Sequence, residues 1–271
     1  MTKLTGLIAA PHTPFDANGE VNYPVIDRIA EHLIRQGVKG AYVCGTTGEG
    51  IHCSVEERKK IAERWVAASQ GQLSITLHTG ALSIADALEL SRHAETLDIF
   101  ATSVIGPCFF KPSTVDDLVE YCRIIAAAAD KIPNLSGMKF NSADMYEFQR
   151  CLRVNNRQFD IPFGVDEFLP AGLACGAVGA VGSTYNYAAP LYHRLIESFN
   201  RGDHQDVAAC MDKVIAIIRI LVQYGGVAAG KLAMQLHDID VGDPRRPLRP
   251  MTSEQKRVAL EAFRAADFIK S

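Results

Sequence analysis

Short β-branched or apolar runs alternate with amphipathic helical stretches along most of this chain, and no other feature constrains its fold as much. Parallel strands need a long crossover, usually a helix, so repeated strand–helix units imply a parallel sheet covered by helices. The pattern predicts strands at 4–10, 40–44, 73–78, 102–105, 135–140, 159–165 and 177–182. Helices are expected at about 23–36, 54–69, 83–97, 114–129, 144–154, 168–175 and 189–200, then three more ending near Phe268. Ser54 and Glu57 have the spacing of a capping box, with the serine oxygen taking free N–H groups of the helix start.

A closed parallel barrel wants eight strands, because strand number, tilt and shear are coupled. Seven are counted here. The shortfall falls where the fourth helix, ending in Ala126-Ala-Ala-Ala-Asp130, runs through Lys131-Ile-Pro-Asn134 straight into the next strand. The expected division is a parallel β/α barrel over 1–202 and a helical extension over 203–271 packed on it as one structural unit.

With 271 residues, 48% of them hydrophobic, the chain can bury a large core. No apolar run approaches the length of a bilayer span, and the N-terminus lacks a basic region followed by an apolar stretch, so a cytoplasmic protein is expected. Seven scattered cysteines (44, 53, 108, 122, 151, 175 and 210), with no C-x-x-C pair and no zinc spacing, read as reduced thiols. A net charge of −3 offers no basic stripe for a phosphate backbone. Neither nucleic acid, membrane nor metal is an expected partner.

Lys139 stands alone in the apolar run Leu135-Ser-Gly-Met-Lys-Phe140. An unpartnered ammonium is costly to bury, so such a lysine tends to lose its proton, and the neutral amine is the form that attacks a ketone. Taken alone, the run fits equally a strand-end lysine whose head reaches back to water. Gly45-Thr-Thr-Gly-Glu-Gly50 follows the second strand, at the face where such barrels hold their sites. Its hydroxyls and glycine-freed N–H groups suit a carboxylate, although an ordinary glycine turn explains the loop taken singly. It lacks the G-K-[ST] ending of a P-loop. Phe163-Gly-Val-Asp-Glu167 puts two carboxylates at another strand end, where they either face a polyhydroxylated ligand or start the next helix. Ser183, Thr184, Tyr185 and Asn186 follow the last strand as ligand contacts or helix caps. Phe109-Phe-Lys-Pro112 either walls a pocket or packs against a neighbour. His78 reads as a hydrogen-bonded core residue rather than a base.

In this order, Thr13-Pro-Phe15, Gly45-Thr-Thr-Gly-Glu49, Phe109-Phe-Lys-Pro112, Gly137-Met-Lys139, Gly164-Val-Asp-Glu167 and Gly182-Ser-Thr-Tyr-Asn186 resemble the N-acetylneuraminate lyases of the dihydrodipicolinate synthase superfamily. The resemblance spans nearly the whole chain. It implies a TIM barrel with a C-terminal helical extension, assembled as a homotetramer, that cleaves sialic acid reversibly to pyruvate and N-acetylmannosamine without metal or organic cofactor. Carried onto this sequence, it gives Lys139 as the imine-forming catalytic residue, Thr46 and Thr47 as holders of the pyruvyl carboxylate, and Asn141, Gly164, Asp166, Glu167 and Ser183 as contacts to the sugar. Asn141 is where the family varies.

The resemblance also implies a fifth strand bearing a proton-relay tyrosine, and a fifth helix, before the lysine strand. No tyrosine lies between 122 and 145, and Tyr121 belongs to the fourth helix. One βα unit (strand 5 and helix 5) is thus absent near residue 130. It is either omitted from the sequence as written, deleted in the protein, or replaced by a different closure; omission is preferred, because a bare barrel edge would unfold a marginally stable domain. Two other functions stay open: another pyruvate-dependent aldolase or dehydratase of the superfamily, or a non-catalytic keto-acid or sugar binder.

Overall fold

The computed structural model describes residues 3–127 and 136–269. Five strands form one parallel sheet in the order β4-β3-β2-β1-β5: β1 Gly6–Ala9, β2 Gly40–Val43, β3 Ser74–His78, β4 Ala101–Ser103 and β5 Gly179–Gly182. Helices α1 Tyr23–Arg35, α2 Val55–Ser69, α3 Ile84–Ala94 and α4 Val115–Ala126 follow the first four strands and pack successively, each on the next. The capping box at Ser54 forms as expected, with its hydroxyl accepting from Glu57 N and the Glu57 carboxylate accepting from Ser54 N.

The expected strands at 135–140 and 159–165 are not sheet strands among the described residues. They are extended segments held by isolated bridges, Gly137 to Asp160, Phe140 to Phe163 and Phe163 to Ala180. Hydrogen bonds still join them in series: Met138 N to Asp160 O at 2.9 Å, Phe140 N to Pro162 O at 3.0 Å, and Phe163 N to Gly179 O at 2.9 Å. Pro162 explains part of the interruption, since it has no N–H to give to a ladder. Leu135 itself lies outside the described residues, as do 128–134, so the end of the expected fourth helix and the junction near residue 130 lie there too.

Alternation along the strands separates two faces. Leu7, Ala9, Ala41, Val43, Ile75, Leu77 and Ala180 join the large core beneath the helices. Ile8 and Val181 turn the other way and pack with Tyr42 and Phe100. Phe140 belongs to the helix-side core, where its ring lies 5.1 Å from Phe148 of α5 Met145–Arg153. Lys139, its neighbour in an extended segment, therefore points to the opposite face, the side of Tyr42.

After α6 Leu169–Ala174 and β5, the described residues hold helices only: α7 Ala189–Arg201, α8 His204–Tyr224, α9 Gly226–Ala233 and α10 Ser253–Ala265. Gly225, at φ 90°, turns the chain between α8 and α9. The side chains of these helices, among them Val214, Ile217, Leu232 and Phe263, belong to the same apolar cluster as the sheet.

Candidate active site

Lys139 lies beside Gly164 and within electrostatic reach of Asp166, two of the positions that the sequence singled out. Its Nζ sits 5.6 Å from the centroid of the Tyr42 ring. A Cβ added to Gly164 would fall 2.7 Å from Lys139 Cε and 2.9 Å from Asn141 Oδ1, so only a glycine there lets the lysine stem and Asn141 approach the strand end. Burial pushes the amine below the usual lysine range, and the Asp166 carboxylate, which favours the ammonium, opposes that fall. Such an amine loses its proton more readily than an exposed lysine.

Asp166 and Glu167 are not equivalent. They lie in the 3-10 turn Asp166–Phe168, with Asp166 buried and Glu167 half-buried. Asp166 Oδ2 accepts from Thr184 N at 3.1 Å and from Thr184 Oγ1 at 2.6 Å, which ties this turn to the end of β5. A Cβ on Gly182 would lie 1.9 Å from Asp166 Oδ1, so the carboxylate rests against bare backbone. That oxygen is buried, and the Asp166 carboxylate lies close enough to the buried Tyr185 hydroxyl to add to the rise in pKa that burial gives it. Burial raises the Asp166 carboxyl above the usual range, against the Thr184 bonds and the lysine charge, which lower it. Ser183 is half-buried beside this latch and does not cap the turn Thr184–Asn186 with its side chain.

The Gly45–Gly50 loop opens over the Tyr42 ring, since a Cβ on Gly45 would lie 2.9 Å from Tyr42 Cε1. Thr46 is exposed and Thr47 half-buried. The loop is closed by Glu49 N to Thr46 O at 3.0 Å and Gly50 N to Gly45 O at 3.2 Å. Tyr42 thus links the loop to the lysine, and its hydroxyl bonds Ser103 at the end of β4. Phe109 and Phe110 are exposed and touch each other edge to face rather than walling this site. His78 receives the Arg58 guanidinium at its backbone oxygen, and burial with that charge holds its imidazole down at about 4. It is neutral at pH 7.

The sequence did not single out Tyr42 or the support of the loop as parts of the site, and it offers Thr184 only as a ligand contact or a helix cap. Tyr42 had a signal of its own, an aromatic two residues before the strand end on the face opposite Val43. Among the described residues no group of three or more His, Cys, Asp or Glu side chains could hold a metal, and no helix is long and apolar enough to cross a membrane.

An amine of lowered basicity, facing a hydroxyl-bearing loop at one end of a parallel α/β sheet, is the equipment of an imine-forming aldolase or dehydratase. The chain belongs to the dihydrodipicolinate synthetase family, whose model matches residues 3–132 and 129–266. It is 37% identical to the N-acetylneuraminate lyase of Mus musculus over 302 aligned positions, covering 99% of this chain and 94% of that protein. The solved N-acetylneuraminate lyase of Proteus mirabilis superposes with a TM-score of 0.97 at 72% identity, over 98% of this chain and 100% of the other. A structure described as a catalytic lysine mutant of the Ruminococcus gnavus sialic acid aldolase superposes at 0.92 with 26% identity, over 98% of this chain and 96% of that one. The architecture is accordingly the α/β barrel type of this family.

Proposed function

We propose that the chain is a Schiff-base aldolase that cleaves N-acetylneuraminate to pyruvate and N-acetylmannosamine, with Lys139 as its nucleophile. The carrying observation is the Lys139 amine, lowered in basicity by burial, on the same face as Tyr42 and against Gly164. The neutral amine adds to the keto carbon and water leaves, giving a protonated imine on Nζ. That cation takes up the electron pair released when the bond between the carbons α and β to the imine breaks, as the β-hydroxyl gives up its proton and leaves as the aldehyde of N-acetylmannosamine; the resulting enamine is protonated on carbon and hydrolysed to pyruvate. No metal or organic cofactor enters this scheme.

In this reading Thr46 and Thr47 hold the pyruvyl carboxylate, while Asn141, Gly164, Glu167 and Ser183 meet the sugar hydroxyls. Asp166, held at Oδ2 by Thr184, is read with them. Residues 1–202 form the barrel and 203–271 a helical extension. One βα unit is absent near residue 130. Two facts support that absence: the two stretches of the family match meet at 129–132, and the 302 positions aligned with the mouse lyase exceed the 99% of the 271 residues that they cover, about 268, by about 34. A barrel of about 250 residues with eight units uses about 30 residues for each. The reading extends to a cytoplasmic homotetramer.

Incubation with pyruvate and borohydride, followed by peptide mass analysis, tests the scheme. A reduced pyruvyl adduct on Lys139 is expected, together with release of pyruvate from N-acetylneuraminate in preference to other 2-keto sugar acids. Absence of the adduct would sink the reading. Adduct without cleavage would make the chain an imine-forming binder that lacks the proton relay of the missing strand.

A further inference from the structure

Lys231 and Glu49 form an ion pair for which the imine scheme has no use. Lys231 lies on α9, among the helices after the sheet, and Glu49 closes the Gly45–Gly50 loop. Nζ stands 2.9 Å from Glu49 Oε1, and the two side chains are 1% and 0% exposed. An interior pair recovers its desolvation cost only with good geometry and further hydrogen bonds. Both are present. Lys231 Nζ donates to Thr13 O at 2.8 Å and lies 4.2 Å from the Phe15 ring centroid, while Glu49 Oε2 accepts from Arg245 N at 2.8 Å. Thr13 Oγ1 in turn donates to Gly48 O at 2.6 Å, gripping the loop a second time.

The loop needs this grip because its backbone does not favour its own shape. Glu49 is left-handed, at φ 52° and ψ 31°, a region that disfavours a residue with a side chain. Gly50 has no room at all, since a Cβ there would lie 1.9 Å from Cys44 O. An anchor from outside the sheet holds what the local sequence would release. Burial lowers the basicity of Lys231 and the Glu49 charge counters it, so the attraction between the two keeps the ammonium in place.

We infer that Lys231 is a positioning residue for substrate binding: through Glu49 it sets the Thr46–Thr47 cradle that receives the keto-acid carboxylate. The helices after the sheet are on this account part of the active site. The inference rests on the reading of the loop as a carboxylate site, and the test separates the two.

The readout is the pyruvate concentration that gives half-maximal borohydride trapping on Lys139, which needs no turnover. Lys231→Met alone strands a buried carboxylate and should lower the melting temperature. The double variant Lys231→Met/Glu49→Met removes both charges and should recover most of that loss. Its half-saturating pyruvate concentration should nevertheless rise about tenfold or more, with trapping at saturation close to the unaltered protein, because binding rather than the amine is affected. Should the double variant not fold, Glu49→Gln, which keeps the shape and removes the charge, is expected to show the same rise. A folded double or Glu49→Gln variant with an unchanged half-saturation point overturns the inference and leaves the pair as packing. Thr47→Val tests the underlying reading independently: if it does not weaken pyruvate binding, the loop does not hold the carboxylate and the inference falls with it.

Discussion

β2 and β4 run parallel, so the loops that follow them leave the same end of the sheet, yet the two are built to different standards. The loop after Val43 rests on the Tyr42 ring, is closed by its own backbone bonds and is gripped by Thr13 and Lys231. The loop after Ser103 carries Phe109 and Phe110, 79% and 83% exposed, whose rings pack on each other at 5.0 Å. The difference lies in the neighbours. β2 is flanked on both sides by β1 and β3, whereas β4 is paired with β3 alone among the described residues. A loop becomes a preorganised binding surface when the strands on both flanks hold its ends, and large apolar side chains face water where one flank is open.

The largest expected effect lies on the supported side. Lys139→Arg keeps a cation of similar reach that cannot lose its proton, so no imine can form. Trapping should vanish and any cleavage should fall by about 10⁴-fold or more, as when a nucleophile is removed. Cleavage near the unaltered rate, followed by pyruvate release, would show that the chemistry lies elsewhere.

Next comes stability across the comparison. Phe148 is fully buried, its ring 5.1 Å from Phe140 and 5.0 Å from Phe163, so it supports the segment that bears Lys139. Phe148→Ala should cost about 3–5 kcal/mol in chemical denaturation, as truncation of a buried aromatic does. Phe109→Ser and Phe110→Ser, on the exposed loop, should each change stability by about 0.5 kcal/mol or less. Equal losses at the two places would mean that the Phe109 loop is packed as firmly as the lysine segment, and the contrast would be gone.

What could be read from the sequence follows the range of the forces involved. β1 to β4 and their helices were legible because period, capping and turn residues act within a few positions: Ser54 and Glu57 are one helical turn apart, and Gly225 sits where α8 must turn into α9. The expected strand at 159–165 reduces to bridges because Pro162 breaks the ladder, a signal present in the sequence but outweighed by the apolar run around it. Lys139 and the loop residues stood out as chemistry at strand ends. The grip of Lys231 on Glu49 did not, since no local pattern tells which distant helix delivers a cation to a buried carboxylate. Likewise the unequal roles of Asp166 and Glu167 depend on Thr184 reaching across from β5. Chain alternation could only offer both carboxylates as candidates.

The smallest effect is one of position on the pH axis. Burial lowers the Lys139 amine and the Asp166 charge works against it, so removing that charge should lower the amine further. Asp166→Asn keeps the size of the side chain and an oxygen able to accept from Thr184. The active form of Lys139 is the deprotonated amine, whose population grows as pH rises through its pKa. The acid limb of kcat/KM, or of pyruvate trapping at low pyruvate, should therefore move to lower pH in Asp166→Asn, because that limb reports groups of the free enzyme. A fall of the plateau in the cleavage assay that is absent from trapping by pyruvate, which has no sugar, would mark Asp166 as a sugar contact. A limb that stays in place would mean that the Asp166 charge is screened from the amine. The latch to Thr184 would then be the whole contribution of this carboxylate, and the supported side of the site would owe its reactivity to burial alone.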